Sequence, residues 1–355
     1  MRYIAVDSLQ EGMTLARPLY RKAEVLLAGG MVLTERYIHA IKRCGFSGVY
    51  IEDELSEDIE IEPLISEELR IETTKRLMQI RNLAKFDDGK PYQKMPDITH
   101  TIEDIVSELC KNKEIMVNMM ELSSYDSYTY SHSLNVTLIS ILLGTSMMLT
   151  HDDLLGLGTG ALLHDIGKIH ISKRILLKNG PLTDEEFEEV KKHPQDGYDY
   201  ISKRYHIPTK HLFTILDHHE KFDGTGYPRG KAGDDITIFG RICAVADVYD
   251  ALSSKRPYRE ALPVHECVEY IMAGAHTQFD PDVVAAFVRR IAPYPLGTSV
   301  MLSNGWCGLV VKNYASYSLR PQLRIYQQDG QTVTPFEISL KDDPQYLNVT
   351  IVGVT

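Results

Sequence analysis

Five histidines and two aspartates in the middle of this chain have the types and the order of a site for two divalent metal ions: His132, His164, Asp165, His193, His218, His219 and Asp247. Imidazole nitrogens and carboxylate oxygens are the ligands such a site needs, and a histidine-rich, carboxylate-bridged set suits iron or manganese. A lone histidine in a helical protein is usually a surface or hydrogen-bonded core residue. His151, His206, His211, His265 and His276 fall in that ordinary class. The joint order carries the argument: a His-Asp pair, a later His193-Pro194, a His-His pair and an aspartate within an apolar stretch.

Helices must position these groups. The apolar residues that follow Asp152-Asp153 have a helical pattern through Leu163, which puts His164 and Asp165 at a helix end with Gly167 as the stop. Adjacent helical residues point about 100° apart, so one His and one Asp can address two sides of a metal pair, with the carboxylate as bridge. His218-His219 repeats the device at the end of another helical stretch. Asp247 lies in an apolar helix over 241–252, where an unpaired carboxylate is costly. Asp250 shares its face and is placed to orient a ligand histidine.

Three further signals surround the ligands. Lys168 lies one turn past Asp165, close enough to set an ammonium beside a phosphate or a leaving oxygen. Gly224, Gly226 and Pro228 mark a constrained loop after the His pair, either a plain turn or a wall that holds Tyr227 over the site. Arg256 and Arg259 follow Asp247 closely enough for two guanidiniums to reach phosphate oxygens, with a solvated loop as the competing explanation.

The flanks have a different character. Residues 24–34 read as a hairpin joined by Ala28-Gly29-Gly30, Thr34 as the cap of a helix that stops at Gly45, and Val49-Tyr50-Ile51 as a closing strand. Ten acidic residues against one basic over 52–72 form a solvated face or linker without functional weight. Residues 64–86 and 97–122 have helical spacing, and helices without convincing strands continue to about Pro293. After that, short β-rich runs at 298–302, 308–312, 322–326, 332–338 and 348–354 alternate with Asn-Gly and Asp-Gly turns. The expected architecture is mainly α: a central all-helical bundle between a small N-terminal α/β module and a small C-terminal β module. The boundaries are 1–62, a helical linker region 63–122, the bundle 123–293 and the β module 294–355.

Composition narrows the class. With 355 residues, 43% hydrophobic and 25% charged, the chain is an ordinary globular protein with room for two or three domains. A net charge of −11 argues against a nucleic-acid duplex as partner but allows a small anion held by local arginines and metals. The five scattered cysteines form no Cys-x-x-Cys pair and read as reduced, mostly buried thiols. No signal-peptide pattern opens the chain, and the apolar run 136–149 is shorter than the roughly 20 residues a bilayer needs. No membrane partner and a cytoplasmic setting are expected.

The block from about 126 to 292 resembles the HD-GYP subclass of the HD-domain metal-dependent phosphohydrolases. The resemblance rests on residues 128–133, His164-Asp165-Ile166-Gly167-Lys168, His193-Pro194, His218-His219-Glu220, residues 223–228 and residues 246–252. It implies a two-metal phosphodiesterase that opens cyclic di-GMP to linear pGpG and onward to GMP. The implied ligands are His132, His164, Asp165, His193, His218, His219 and Asp247, with Asp165 and Lys168 catalytic and Tyr227, Arg256 and Arg259 at the substrate. Some members bind a third metal through a glutamate four residues before the first histidine; Tyr128 stands there, so two ions are expected. The segment Ile236-Thr237-Ile238 departs from the subclass's usual Ile-Pro-Leu and removes no ligand. Another cyclic dinucleotide as substrate, or a non-catalytic cyclic di-GMP receptor or signalling interaction module, are the alternatives. The flanking modules leave room for a homodimer or for signalling-protein partners.

Overall fold

The computed structural model describes residues 1–355 apart from 22–23, 47, 86–96, 112–115, 118–124, 127, 179, 255–260, 316 and 355, and only the backbone at 125–126 and 128–129. The N-terminal module contains β1 (Arg2–Ala5), β2 (Leu19–Arg21), β3 (Glu24–Leu27), α1 (Glu35–Cys44) and β4 (Gly48–Ile51). Strand β1 pairs antiparallel with β4, and β2 with β3. Thr34 caps α1 by accepting from the Tyr37 amide, and Gly45 ends it at φ 86°. The expected hairpin across Ala28-Gly29-Gly30 is corrected: β3 pairs backwards with β2, while Met31 and Leu33 after the glycines exchange hydrogen bonds with Met13 and Leu15. The glycine turn is real, but the ladder it feeds is made with an earlier segment.

The central block consists of α2 (Glu67–Lys85), α3 (Ile98–Lys111), β5 (Tyr125–Asp126), α4 (Tyr128–Ser146), α5 (His151–Leu163), a 3₁₀ turn (Ile166–His170), α6 (Lys173–Leu176), α7 (Asp184–Val190), α8 (His193–Arg204), α9 (Thr209–Asp217), α10 (Ile238–Ser253), α11 (Val264–Ala273) and α12 (Pro281–Arg290). Two expectations shift. Of the helix expected over 97–122, the described residues show Ile98–Lys111 as helix, and Val117 instead forms a parallel bridge with Ile291. Among its described residues the block also holds a short strand, β5, which runs parallel to β2 of the N-terminal module.

Helix α4 is buried along most of its length: Leu134, Val136, Leu138, Ile139, Ile141, Leu142 and Leu143 lie in the core beside the buried polar residues Ser133, Asn135, Thr137 and Ser140. Its apolar run is therefore core, and among the described residues no helix is long and apolar enough to cross a membrane. Local caps set the surrounding helices. Thr150 accepts from the Asp153 amide at the start of α5, Thr183 and Glu186 form a capping box on α7, and Thr237 accepts from the Gly240 amide at the start of α10.

The C-terminal module is a five-stranded antiparallel sheet of β6 (Ser299–Leu302), β7 (Cys307–Lys312), β8 (Gln322–Gln328), β9 (Gln331–Ser339) and β10 (Ile351–Val354), in the order β10-β6-β7-β8-β9. All five expected β runs are strands of this sheet. The cysteines are free, but only Cys243 and Cys267 are buried; Cys44, Cys110 and Cys307 are half-buried.

Candidate metal centre

Three helix ends and two helix interiors bring the seven expected ligands together. Helix α4 carries His132, the end of α5 gives His164 and Asp165, α8 opens with His193, α9 ends at His218-His219, and α10 carries Asp247. Gly167 does not end a helix in the left-handed region; it lies within the 3₁₀ turn, where close approach requires it. A Cβ there would come within 2.0 Å of the His193 carbonyl oxygen. This contact presses the turn carrying Asp165 and Lys168 against the start of α8.

The imidazoles are oriented by one repeated device. Nδ1 of His164, His193 and His218 meets the carbonyl oxygen three residues back, at Ala161 (2.7 Å), Val190 (2.7 Å) and Ile215 (2.8 Å). A carbonyl only accepts, so each Nδ1 carries the proton and each Nε2 is left with its lone pair. His132 Nδ1 meets Asp250 Oδ2 at 2.7 Å, and Asn135 Nδ2 donates to Asp250 Oδ1 at 2.8 Å. Helix ends thus do for three histidines what a buried carboxylate does for the fourth.

The free faces converge. His132 Nε2 is 3.2 Å from Asp247 Oδ1 and 3.8 Å from Asp165 Oδ2. His164 Nε2 and His193 Nε2 lie 3.6 and 3.5 Å from Asp165 Oδ1, and His218 Nε2 lies 4.0 Å from it. His219 Nδ1 is 4.0 Å from Asp247 Oδ2. Ligand atoms within 4.8 Å of one another form the groups His132-His164-Asp247, His193-His218-His219 and His164-Asp165-His218. Asp165 therefore stands between a half-site on α4, α5 and α10 and another on α8 and α9.

The donor set fits two divalent ions. His193 Nε2 and His218 Nε2, both bare lone pairs, face each other at 3.2 Å, an arrangement that a shared cation relieves. Among the described residues, the buried atoms His164 Nε2 and Asp165 Oδ1 have no hydrogen-bond partner. Such atoms occur elsewhere in the protein too, but two of them on adjacent candidate ligands, both facing the same cluster, fit a bound ion.

Electrostatics agree with deprotonated ligands. Burial pushes His164 down, and His193 and His218 well down, from the usual imidazole range. His219 is lowered to about 4 by burial. Burial opposes the charges of Asp165 and Asp247, yet Lys168 and neighbouring imidazoles hold the first, and His132 the second, well below the carboxylate range. His132 is the exception: against burial, Asp247 and Asp250 raise it to about 9. The Lys168 ammonium donates to Asp165 Oδ2 at 2.7 Å and is partly open to solvent.

The other expected site residues divide. The Tyr227 ring stacks on His219, centroids 4.7 Å apart at 30°, with its other contact edge-on to Phe187. Arg256 and Arg259 lie outside the described residues. Of the ordinary histidines, His211 is buried against Gly156 and His265 stacks on Tyr294. Sequence reasoning left Asn135 and Asp217 without a role. Asn135 lies three residues past His132 and Asp217 immediately before His218, a spacing from the candidate ligands that could have found them.

Residues 116–283 match the family model described as the HD domain. This block is an HD domain. The HD domain resembles the HD-GYP type, with matching His/Asp metal-binding clusters. The chain is 35% identical over 247 residues to a cyclic di-GMP phosphodiesterase of Pseudomonas aeruginosa, an alignment covering 69% of this chain and 59% of that protein. It is 38% identical over 169 residues to a 3′3′-cGAMP-specific phosphodiesterase of Vibrio cholerae, covering 47% and 36%. The chain spans less than two thirds of the length of these curated relatives. A solved HDG"Y"P protein of Bdellovibrio bacteriovorus agrees in fold, with a TM-score of 0.50 at 18% identity, over 80% of this chain and 97% of that one.

Proposed function

We propose that the HD domain hydrolyses a cyclic dinucleotide, cyclic di-GMP first, to the linear pGpG, with GMP as the product of a second cut. The single observation that carries this reading is the pair of half-sites meeting at Asp165, with His164 Nε2 and Asp165 Oδ1 buried and partnerless. Two divalent ions held there, iron or manganese in this reading, would supply activation of a water and stabilisation of charge on the phosphoryl oxygens. His132, His164 and Asp247 would hold one ion, His193, His218 and His219 the other, and Asp165 both. Hydrolysis adds water across one P–O3′ bond, so the departing 3′-oxygen must gain a proton. Lys168, held at the site by Asp165, is the cation placed to stabilise or protonate that oxygen. Burial and the nearby Asp247 and Asp165 raise the Tyr227 phenol, which keeps it a neutral donor toward the nucleotide. Arg256 and Arg259 belong to the proposal as phosphate contacts. A cytoplasmic setting, where such a messenger is made and read, goes with it.

The 3′3′-cGAMP-specific relative favours a second reading, in which the preferred substrate is the mixed dinucleotide. Protein loaded anaerobically with Fe(II) or Mn(II) and incubated with cyclic di-GMP, 3′3′-cGAMP and cyclic di-AMP, beside an Asp165→Ala control, separates the readings by chromatography. Metal-dependent pGpG absent from the control supports the first. Faster cleavage of the mixed dinucleotide supports the second. No product with both metals bound would overturn both and leave a receptor.

A further inference from the structure

The loop that follows the histidine pair is tied down by two buried carboxylates that belong to neither half-site. Glu220 is 3% exposed; its Oε1 accepts from the Arg229 amide at 2.8 Å and its Oε2 from the Lys231 amide at 3.0 Å. Asp217, fully buried, accepts from the Arg229 guanidinium and from the Thr237 amide (3.2 Å) and hydroxyl (3.0 Å), with the Lys231 ammonium at 3.5 Å. The chain between them leaves the site and returns: Asp223 bridges Ala232, and the Gly233 amide donates to the Phe222 carbonyl at 2.9 Å.

The result is a closed loop folded back over its own origin. The Tyr227 amide donates to the His219 carbonyl at 3.1 Å, and a Cβ on Gly226 would lie 2.2 Å from the Lys221 nitrogen. Only glycine permits that crossing. The crossing in turn sets the Tyr227 ring flat against His219. Both oxygens of Glu220 are spent on the far limb of the loop, two and four residues beyond Tyr227. A carboxylate accepting two backbone N–H groups makes charge-assisted bonds of the stronger kind, and its removal leaves the Arg229 and Lys231 amides without this acceptor.

The geometry points to Glu220, braced by the Asp217–Arg229 pair, as the positioning residue that clamps the loop and so holds Tyr227 over the metal centre for the nucleotide. The inference rests on the phosphodiesterase reading for its kinetic consequence but not for the clamp itself. Both Glu220 oxygens face the Arg229 and Lys231 amides, so it acts through Tyr227.

The test pairs a substrate-free measurement with a kinetic one. In metal-loaded Glu220→Gln protein, which keeps the shape but can accept at only one oxygen, amide exchange at Arg229 and Lys231 should quicken about tenfold or more while both ions stay bound. KM for the cyclic dinucleotide should rise about tenfold with little change in kcat, the pattern of a lost ground-state contact. In a Tyr227→Ala background the same change should add less than about twofold, because the two residues act as one unit. Unchanged amide exchange, loss of metal, or full additivity with Tyr227→Ala would each overturn the clamp. Glu220→Asp, which keeps the charge at shorter reach, stands in if E220Q does not fold, and failure of both to fold would make Glu220 a structural residue and also overturn it. An inactive wild type would sink the phosphodiesterase reading, whereas the exchange measurement would still decide the clamp.

Discussion

At the scale of single residues, the centre is set by where protons lie. Three histidines have their tautomer fixed by helix-end carbonyls, and the fourth by Asp250. His132, raised to about 9, must lose its proton to bind metal. Loading Mn(II) at pH 7 should therefore release a proton from this residue, and affinity should climb as pH rises toward about 9; calorimetry in buffers of different ionisation enthalpy reads both. The stability of the metal-free protein runs the other way. A histidine raised on folding contributes fully below its unfolded value near 6.5 and loses that contribution as pH passes about 9. Metal-free protein should melt lower at pH 10 than at pH 7, a drop that bound metal should reduce. Asp250→Asn, which leaves His132 without its carboxylate, should weaken metal affinity about 10–100-fold, measured by competition with a chelating dye. Asp165→Ala should bring turnover to background and leave fewer than two ions per chain by elemental analysis; retained turnover would refute the assignment.

At the scale of elements, junctions matter more than helix interiors. His164 and Asp165 occupy the break between α5 and the 3₁₀ turn that carries Lys168, and the turn seats on α8 only because Gly167 has no side chain. Gly167→Ala should cost about 1–3 kcal/mol in thermal unfolding and reduce metal content, since a methyl group would push the turn off His193. Most of these elements were legible beforehand: Thr34 and Gly45 bound a helix by local chemistry, and the five C-terminal strands alternate between turn signals. Strand pairing was less legible. The residues after Gly29-Gly30 look like a hairpin return, but their partners lie at 13–15, and nothing local distinguishes one ladder from another.

At the scale of the whole molecule, the two ends of the chain pack together. Tyr50, Ile59 and Ile61 of the N-terminal region share a core with Leu309 of the C-terminal sheet, and the Tyr3 amide donates to the Gly297 carbonyl at 2.9 Å. Arg324 adds a charged rim: it donates to Asp58 at 2.6 and 2.7 Å and to Glu337 at 2.6 Å. Asp58 is largely exposed, so Arg324→Ala should cost no more than about 1 kcal/mol, with the difference shrinking in high salt. The N-terminal module also reaches the bundle directly, through the β2–β5 pairing just before α4, the helix that carries His132.

The sequence by itself determined which histidines and aspartates are candidate ligands, the helical bundle and the β character of the C-terminal module. Those follow from residue type and short-range periodicity, and a buried His-Asp or His-His pair has few other uses. Only the tertiary structure decided which ligands share a half-site, which carbonyl or carboxylate orients each imidazole, and that Glu220 and Asp217 anchor the loop bearing Tyr227. It also decided that the chain's two ends form one core. Such facts depend on contacts between residues far apart in the chain or across a loop closure. Local spacing constrains which residues lie on one face, but long-range packing selects which faces meet.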